Sequence, residues 1–442
     1  MNRRKFLRQT SAVTAGVLGF PALLRSASPN SLLQVACIGV GNMGSKTLHS
    51  VARHPKVKLV ALCDVDDRFL TQAAKDFTGV SRHRDWRELF SARAGVFDAV
   101  TIATPDHMHA APALTALRAR KHVYLQKPMA TTLQECRVLT QEAAKTGVVT
   151  QLGNQFRSTI ENRMTVELLR QGAIGKIREV IVWENKPCNW WPKKSDPHSA
   201  ADAIPSALDW DLWLGVRAPR HFLADSYHPT NWRAWFDFAS GMMGDMAVHH
   251  LDPTFDALQL TSPQRVRQRT PGSTGPLWSP KRIVEMIFPG NARTVGKTVQ
   301  LTWHDGFVPD RSRILLPSGV SQIPESGTCW LGERGAIFKN FRGGRPFVLP
   351  ESAFPTANYP RDFEPRDHYL DWVNAILEGR RACSDFSHSG PLSEAVLVGT
   401  LADRLAGEWL EWDQAALKFD RPEATALVQR EYRSGWKVPG LG

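Results

Sequence analysis

Long apolar runs are missing from this chain of 442 residues, and the N-terminal stretch Ala12 to Leu24 is too short for a comfortable membrane span. Cysteine is sparse. The six, at positions 37, 63, 136, 188, 329 and 383, form neither a C-x-x-C pair nor a metal knuckle. That spacing excludes a zinc ribbon and a dithiol redox centre. Cys37 and Cys63 lie in apolar, strand-like runs and read as small hydrophobes, and nothing in the spacing demands a disulfide. There is no long basic run. The formal charge is +12, but Arg3, Arg4, Lys5, Arg8 and Arg25 supply five of those charges, and the rest are scattered. Nucleic acid is therefore not an expected partner. Internal repeats are absent, and so are paired carboxylates at a spacing readable for ordinary glycoside hydrolysis.

What is present begins at Val35-Ala36-Cys37-Ile38-Gly39-Val40-Gly41-Asn42-Met43-Gly44. A short apolar run enters G-x-G-x-x-G, a helical pattern (Ser45 to Arg53) leaves it, and a second apolar run (Val57 to Cys63) ends on Asp64. Asp64 stands twenty residues beyond Gly44. In this pattern Gly39 permits the tight turn, Gly41 lets backbone approach a pyrophosphate, and Gly44 lets helix and strand pack closely. The pyrophosphate then lies at the positive end of a helix dipole. Asp64 would accept hydrogen bonds from the adenosine ribose and repel a 2′-phosphate, so NAD is expected rather than NADP. A glycine turn in some other α/β domain is the plainer reading, but each flanking element has the required type and length.

Upstream, Arg3-Arg4-Lys5-Phe6-Leu7 and the modest apolar stretch resemble a twin-arginine export signal over residues 1–30, cleaved or kept as an anchor. A basic N-terminal arm is the alternative. Export in the folded state implies a periplasmic or otherwise exported protein. Such a protein would carry its dinucleotide with it and recycle it in place.

Downstream, helix and strand patterns alternate: helix 68–77, strand 96–103, helix 110–119, strand 122–126, helix 132–145, strand 148–152. Alternation of this kind predicts a doubly wound parallel sheet over residues 32–153, with ligands beyond the carboxyl ends of the strands. Asn42, Met43, Asp64, Thr104, Pro105, His107, His109, Gln126 and Lys127 all fall on that rim with the glycines, and they are the cofactor-binding candidates. Lys127 precedes Pro128, which forces extended geometry and aims the ammonium over the sheet edge; an exposed surface charge is the alternative.

These residues carry a resemblance. The glycine fingerprint, Thr104-Pro105 with His109, and Tyr124-Leu125-Gln126-Lys127-Pro128 resemble the glucose-fructose oxidoreductase / inositol dehydrogenase / MocA (Gfo/Idh/MocA) family. The family's motif is Glu-Lys-Pro; here Gln126 replaces the glutamate and the lysine is intact. The resemblance implies a C-terminal α+β domain over 154–442 with a large, mostly antiparallel open sheet. It also implies a homo-oligomer formed through that sheet, and the C-terminal helices are expected to pack back on the first domain.

In this second part a helix (159–171), strands (177–184, 282–288, 298–303, 335–338) and helices (366–378, 391–406) are expected, and 186–230 reads as a long functional insertion. Asp245 and His249 are four apart, so a helix presents both on one face. A carboxylate beside an imidazole holds one tautomer and raises its pKa, as a general acid/base requires. The resemblance makes Lys127, Asp245 and His249 the catalytic set. His250 and Asp252 add polar groups, but no full ligand set is visible and no metal is expected. Arg157, His228, Trp232, Arg233 and His250 are the substrate-contact candidates. Trp183, Trp190, Trp191, Trp210, Trp213, Trp232 and Trp235 cluster in sequence, and one or two are candidates to stack on a sugar. The expected activity is NAD(P)-dependent oxidation or reduction of a secondary hydroxyl on a sugar, glycoside or cyclitol, with tightly held cofactor. Glycoside cleavage by transient oxidation and elimination is the alternative, and a non-catalytic dinucleotide- and sugar-binding protein is the third reading.

Overall fold

The structure, a computed structural model, describes residues 32–185, 192 and 194–442. The 1–30 segment, Cys188, Trp190 and Trp191 lie outside the described residues. The apolar run Leu33–Ile38 becomes β1, buried along nearly its whole length, and α1 (Met43–Ala52) follows the glycine turn directly. β2 (Val57–Cys63) leads to α2 (Asp67–Asp76), capped by Asp66, whose carboxylate accepts from the Arg68 N–H. The pattern reading passes over a short strand, β3 (Ser81–His83), and a helix, α3 (Trp86–Arg93), which Asp85 caps in the same way. β4 (Ala99–Ile102), α4 (Ala110–Arg118), β5 (His122–Leu125), α5 (Leu133–Thr146) and β6 (Thr150–Leu152) complete the unit. α5 is bounded by a reciprocal Thr132–Glu135 capping box and by Gly147 in the left-handed region.

All six strands pair parallel, in the order β3-β2-β1-β4-β5-β6. The order reverses between β1 and β4, so a crevice opens at their carboxyl ends.

The rest of the chain builds a nine-stranded sheet. α6 (Ile160–Arg170) precedes β7 (Ile177–Glu184). Among its described residues the insertion contributes one short helix, α7 (Trp210–Leu214), and then α8 (Gly241–Leu258) packs against the sheet. β8 (Arg265–Gln268), β9 (Arg282–Pro289), β10 (Thr298–Asp305), β11 (Ser326–Gly332), β12 (Ala336–Asn340) and β13 (Phe347–Leu349) follow, and near the C-terminus β14 (Leu410–Asp413) and β15 (Lys418–Phe419) extend the sheet beyond β8. The pairing is antiparallel except between β7 and β10.

Two C-terminal helices return to the first sheet. α9 (His368–Glu378) places Tyr369, Trp372, Val373 and Ile376 in one apolar cluster with Val35, Cys37, Leu48 and Tyr124. α10 (Phe386–Leu401) packs on α5 and α8. It starts before Pro391, the residue taken as its start from sequence, because Asp385 caps it earlier by accepting the Ser387 N–H. Among the described residues no helix is long and apolar enough to cross a membrane.

Candidate active site

Gly39 has φ +76°, and a Cβ there would stand 2.6 Å from the Ala103 carbonyl; a Cβ on Gly44 would stand 2.0 Å from the Gly39 oxygen. Both positions exclude a side chain, and they bring α1 against the turn. The middle glycine has a different reason: a Cβ on Gly41 would meet Phe69 Cδ2 at 2.5 Å. Asn42 is held at φ +46°, a conformation non-glycine residues rarely adopt.

A cavity opens over this turn. It is lined by Gly39, Gly41, Asn42, Met43, Asp64, Thr104, Pro105, Asp106, His109, Gln126 and Lys127 from the first domain, and by Leu212, Trp213, His228, Pro229, Trp232 and Arg233 from the second. Asp64 sits at one end. Its oxygens accept the Val40 N–H at 2.8 Å and the Asp66 N–H at 2.9 Å, and burial pushes its carboxyl up to about 6. Thr104 Oγ1 is buried without a partner among the described residues, an open position for a ligand hydrogen bond. The glycine turn, the acid after β2 and this hydroxyl fit a dinucleotide.

Two cofactor candidates lie outside the lining. Gly44 is behind the turn. His107 is buried and points away, with Nε2 on the Trp213 carbonyl at 2.9 Å. His109 lies between the Pro128 and Thr104 carbonyls, its two ring nitrogens 2.6 and 2.9 Å from them; burial keeps the ring neutral, so its single N–H donates to one of the two. Gln126 Nε2 donates to Thr47 Oγ1 at 3.1 Å. An ionised glutamate there could meet Thr47 only by accepting from its hydroxyl, which already donates to the Met43 carbonyl at 2.8 Å.

A second cavity shares Met43, Lys127 and Arg233 with the first and adds Lys46, Gln155, Phe156, Thr159, Thr230, Asp245, Met246 and His249. Lys127 stands where the two meet. Its Nζ donates to the Asp245 Oδ1 and to the Asp245 carbonyl, each at 2.7 Å, and Arg233 Nε is 3.6 Å from the same carboxylate oxygen.

His249 is held differently from the sequence reading, which paired it with Asp245. Its Nδ1 is 2.6 Å from Asn154 Oδ1, while Asn154 Nδ2 donates to the Val248 carbonyl at 3.4 Å. That second bond turns the amide oxygen toward the ring. Nδ1 therefore carries the proton and Nε2 keeps its lone pair. The expected rise in pKa is also reversed: burial, then the Lys127 charge, pushes the imidazole well below its ordinary value. The ring is neutral, and Nε2 is a base.

Of the five substrate-contact candidates only Arg233 lines the second cavity. Arg157 is tied to Asp252 and Asp256, each at 3.0 Å, and braces α8. His228 Nε2 meets the buried Asp66 carboxylate at 2.8 Å, on the cofactor side. Trp232 lines the first cavity, beneath the Arg233 guanidinium at 4.3 Å. His250 faces Glu184, at 3.2 Å, and stacks on Phe341. Trp183, Trp210, Trp213 and Trp235 are core residues, and the aromatic of the second cavity is Phe156. Sequence reasoning missed Asn154 and Asp106. Asp106 is 6% exposed; burial raises its carboxyl to about 8, with Arg233, Lys127 and Asp245 close by. Among the described residues no three His, Cys, Asp or Glu side chains are grouped to hold a metal.

A glycosyl hydrolase family 109 protein of Shewanella sp. (strain MR-4) is 26% identical over 205 residues, a match covering 40% of this chain and 44% of that protein. The chain thus spans less than half of that relative's length. The WlbA dehydrogenase of Bordetella pertussis, solved with NADH and UDP-GlcNAcA, superposes with TM-score 0.60 at 18% identity, covering 86% of this chain and 99% of that one. The aldose-aldose oxidoreductase of Caulobacter crescentus, solved with glycerol, gives TM-score 0.58 at 17% identity, covering 86% and 100%. The profile for the oxidoreductase family's NAD-binding Rossmann fold matches residues 33–154, and that for its C-terminal alpha/beta domain matches 159–438. With both family domains matched along its length, the chain belongs to the Gfo/Idh/MocA oxidoreductase family, whose first domain is an NAD-binding Rossmann fold.

Proposed function

We propose that the protein oxidises or reduces a secondary hydroxyl of a sugar, glycoside or cyclitol held in the second cavity, with an NAD that stays bound between turnovers. The observation that carries this is the pairing at the cavity junction: a neutral His249 with Nδ1–H pinned and Nε2 free to accept, beside the Lys127 ammonium. In the oxidative direction His249 Nε2 takes the hydroxyl proton. Lys127 steadies the negative charge that develops on the substrate oxygen. Asp245 holds Lys127 across the junction, and Arg233 adds a second cation beside the same carboxylate. Bound NAD supplies the hydride acceptor. Lys127→Met tests this: turnover is lost while NAD still binds, and an unaffected rate sinks the assignment.

A second reading is favoured by the family 109 relative, whose name denotes glycoside cleavage. Here the same base and cation would serve a transient oxidation, elimination of the aglycone, and return of the hydride. A screen of sugars and glycosides separates the two: net NADH marks a dehydrogenase, and free aglycone without net NADH marks the cleavage route. The twin-arginine reading of residues 1–30 supports a resident cofactor, since the folded protein would be exported already loaded. Stoichiometric nucleotide released on denaturing protein taken from the exported compartment tests it, and its absence there refutes it.

A further inference from the structure

Residues 207–233 leave the second domain, cross to the rim of the first, and return. At the loop after β2 the crossing is a backbone pairing. Asp66 and Leu208 form an antiparallel bridge, the Asp67 N–H donates to the Ala207 carbonyl at 2.9 Å, and the Asp209 N–H donates to the Val65 carbonyl at 2.9 Å. Arg84, paired with Asp67, also donates to the Ala207 carbonyl, at 3.2 Å. Farther along, His228 closes on the same loop through its 2.8 Å contact with Asp66. Asp66 is fully buried; although burial opposes it, Arg68 and His228 hold its carboxyl down to about 2. A second mooring lies beyond β4, where His107 reaches the Trp213 carbonyl through its ring and the Phe238 carbonyl through its N–H. Between the moorings, Leu212, Trp213, His228, Pro229 and Trp232 form the outer wall of the first cavity. Trp213 also packs with Trp210, Tyr227, Trp235 and Phe238 in a separate aromatic core, which gives the segment a firm backing.

The loop it grips also carries Asp64, the acid positioned for the ribose. We propose that residues 207–233 are a strap closed over the bound dinucleotide, and that the Asp66–His228 contact is the latch that makes nucleotide release slow. The inference rests on the dinucleotide reading of the first cavity and names the element that keeps the nucleotide resident. Release requires the strap to lift, which breaks the 66–208 bridge and separates His228 from Asp66. Neither residue touches the reacting atoms; they act through the position of the strap.

The test frees the full chain of resident nucleotide, loads it with radiolabelled NAD, chases with unlabelled NAD, and follows release from wild type and His228→Ala. Hydrogen exchange at the Asp67 and Asp209 amides is measured on wild type with and without NAD. At least tenfold faster release from His228→Ala is expected, with slower exchange at both amides when NAD is bound. Equal release rates overturn the latch whatever the exchange shows. If His228→Ala does not fold, exchange that NAD leaves unchanged at both amides overturns it. Folded wild type that has been freed of nucleotide and still takes up no NAD defeats the dinucleotide reading itself, and the strap with it.

Discussion

Asp106→Asn should stabilise the protein, by an amount that depends on pH. Asp106 opens the short turn after β4 and faces Arg233, Asp245 and Lys127. Burial lifts its carboxyl from 3.8 to about 8; Arg233 and Lys127 pull it down, and Asp245 pushes it up. The folded chain thus holds this proton more tightly than the unfolded chain does. The stability this confers is complete below the unfolded value and is lost as pH rises through the folded one. The slope is about 1.4 kcal/mol per pH unit, so by pH 7 this one group has cost up to about 4 kcal/mol, less whatever local relaxation and water recover. Asparagine has nearly the same shape and nothing to ionise. The stability gap in favour of the variant should therefore open from near zero at about pH 4 to roughly 2–4 kcal/mol at pH 7. Urea unfolding of the cofactor-free protein, followed by tryptophan fluorescence at several pH values, measures it. A gap that stays flat with pH, or a variant less stable throughout, would refute the reasoning.

Other perturbations separate the roles of neighbouring groups. Asn154→Ala removes the acceptor that fixes the His249 tautomer; kcat should fall about tenfold to a hundredfold, part of the ~10²–10⁴ a positioned base supplies, with NAD binding unchanged by titration. NAD affinity should weaken as pH drops below about 6, because Asp64 then protonates, by at most about tenfold per pH unit; calorimetry should show that Asp64→Asn abolishes the slope. Arg157→Met leaves the buried Asp252 carboxylate with His388, at 2.7 Å, as its remaining partner, and denaturation should reveal a loss of up to about 3–5 kcal/mol with KM little changed in whatever correctly folded enzyme remains.

The first sheet was legible along the chain because its signals are local. Strand, turn, helix and acid follow one another within a few dozen residues, and Lys127 and His109 sit at strand ends that pattern alone can place. β3 and α3 were missed because three strand residues and an eight-residue helix carry too little periodicity to stand out. The helical spacing of Asp245 and His249 was also local, and α8 is a helix there.

Partner choice was not local. Asn154 stands 95 residues before the histidine it orients, and His228 stands 162 residues beyond the aspartate it meets. A contact of that span exists only once both domains have packed. The direction of a titration is likewise set by what surrounds the group after folding. A neighbouring carboxylate predicts a raised imidazole, yet burial and Lys127 lower His249, and burial keeps the proton on Asp106. Residue order in the chain therefore sufficed to nominate the residues of the dinucleotide cradle and the catalytic candidates. Which of them is charged, which is held, and which merely braces the fold was decided by the tertiary structure, because desolvation and long-range contacts do not exist in the unfolded chain.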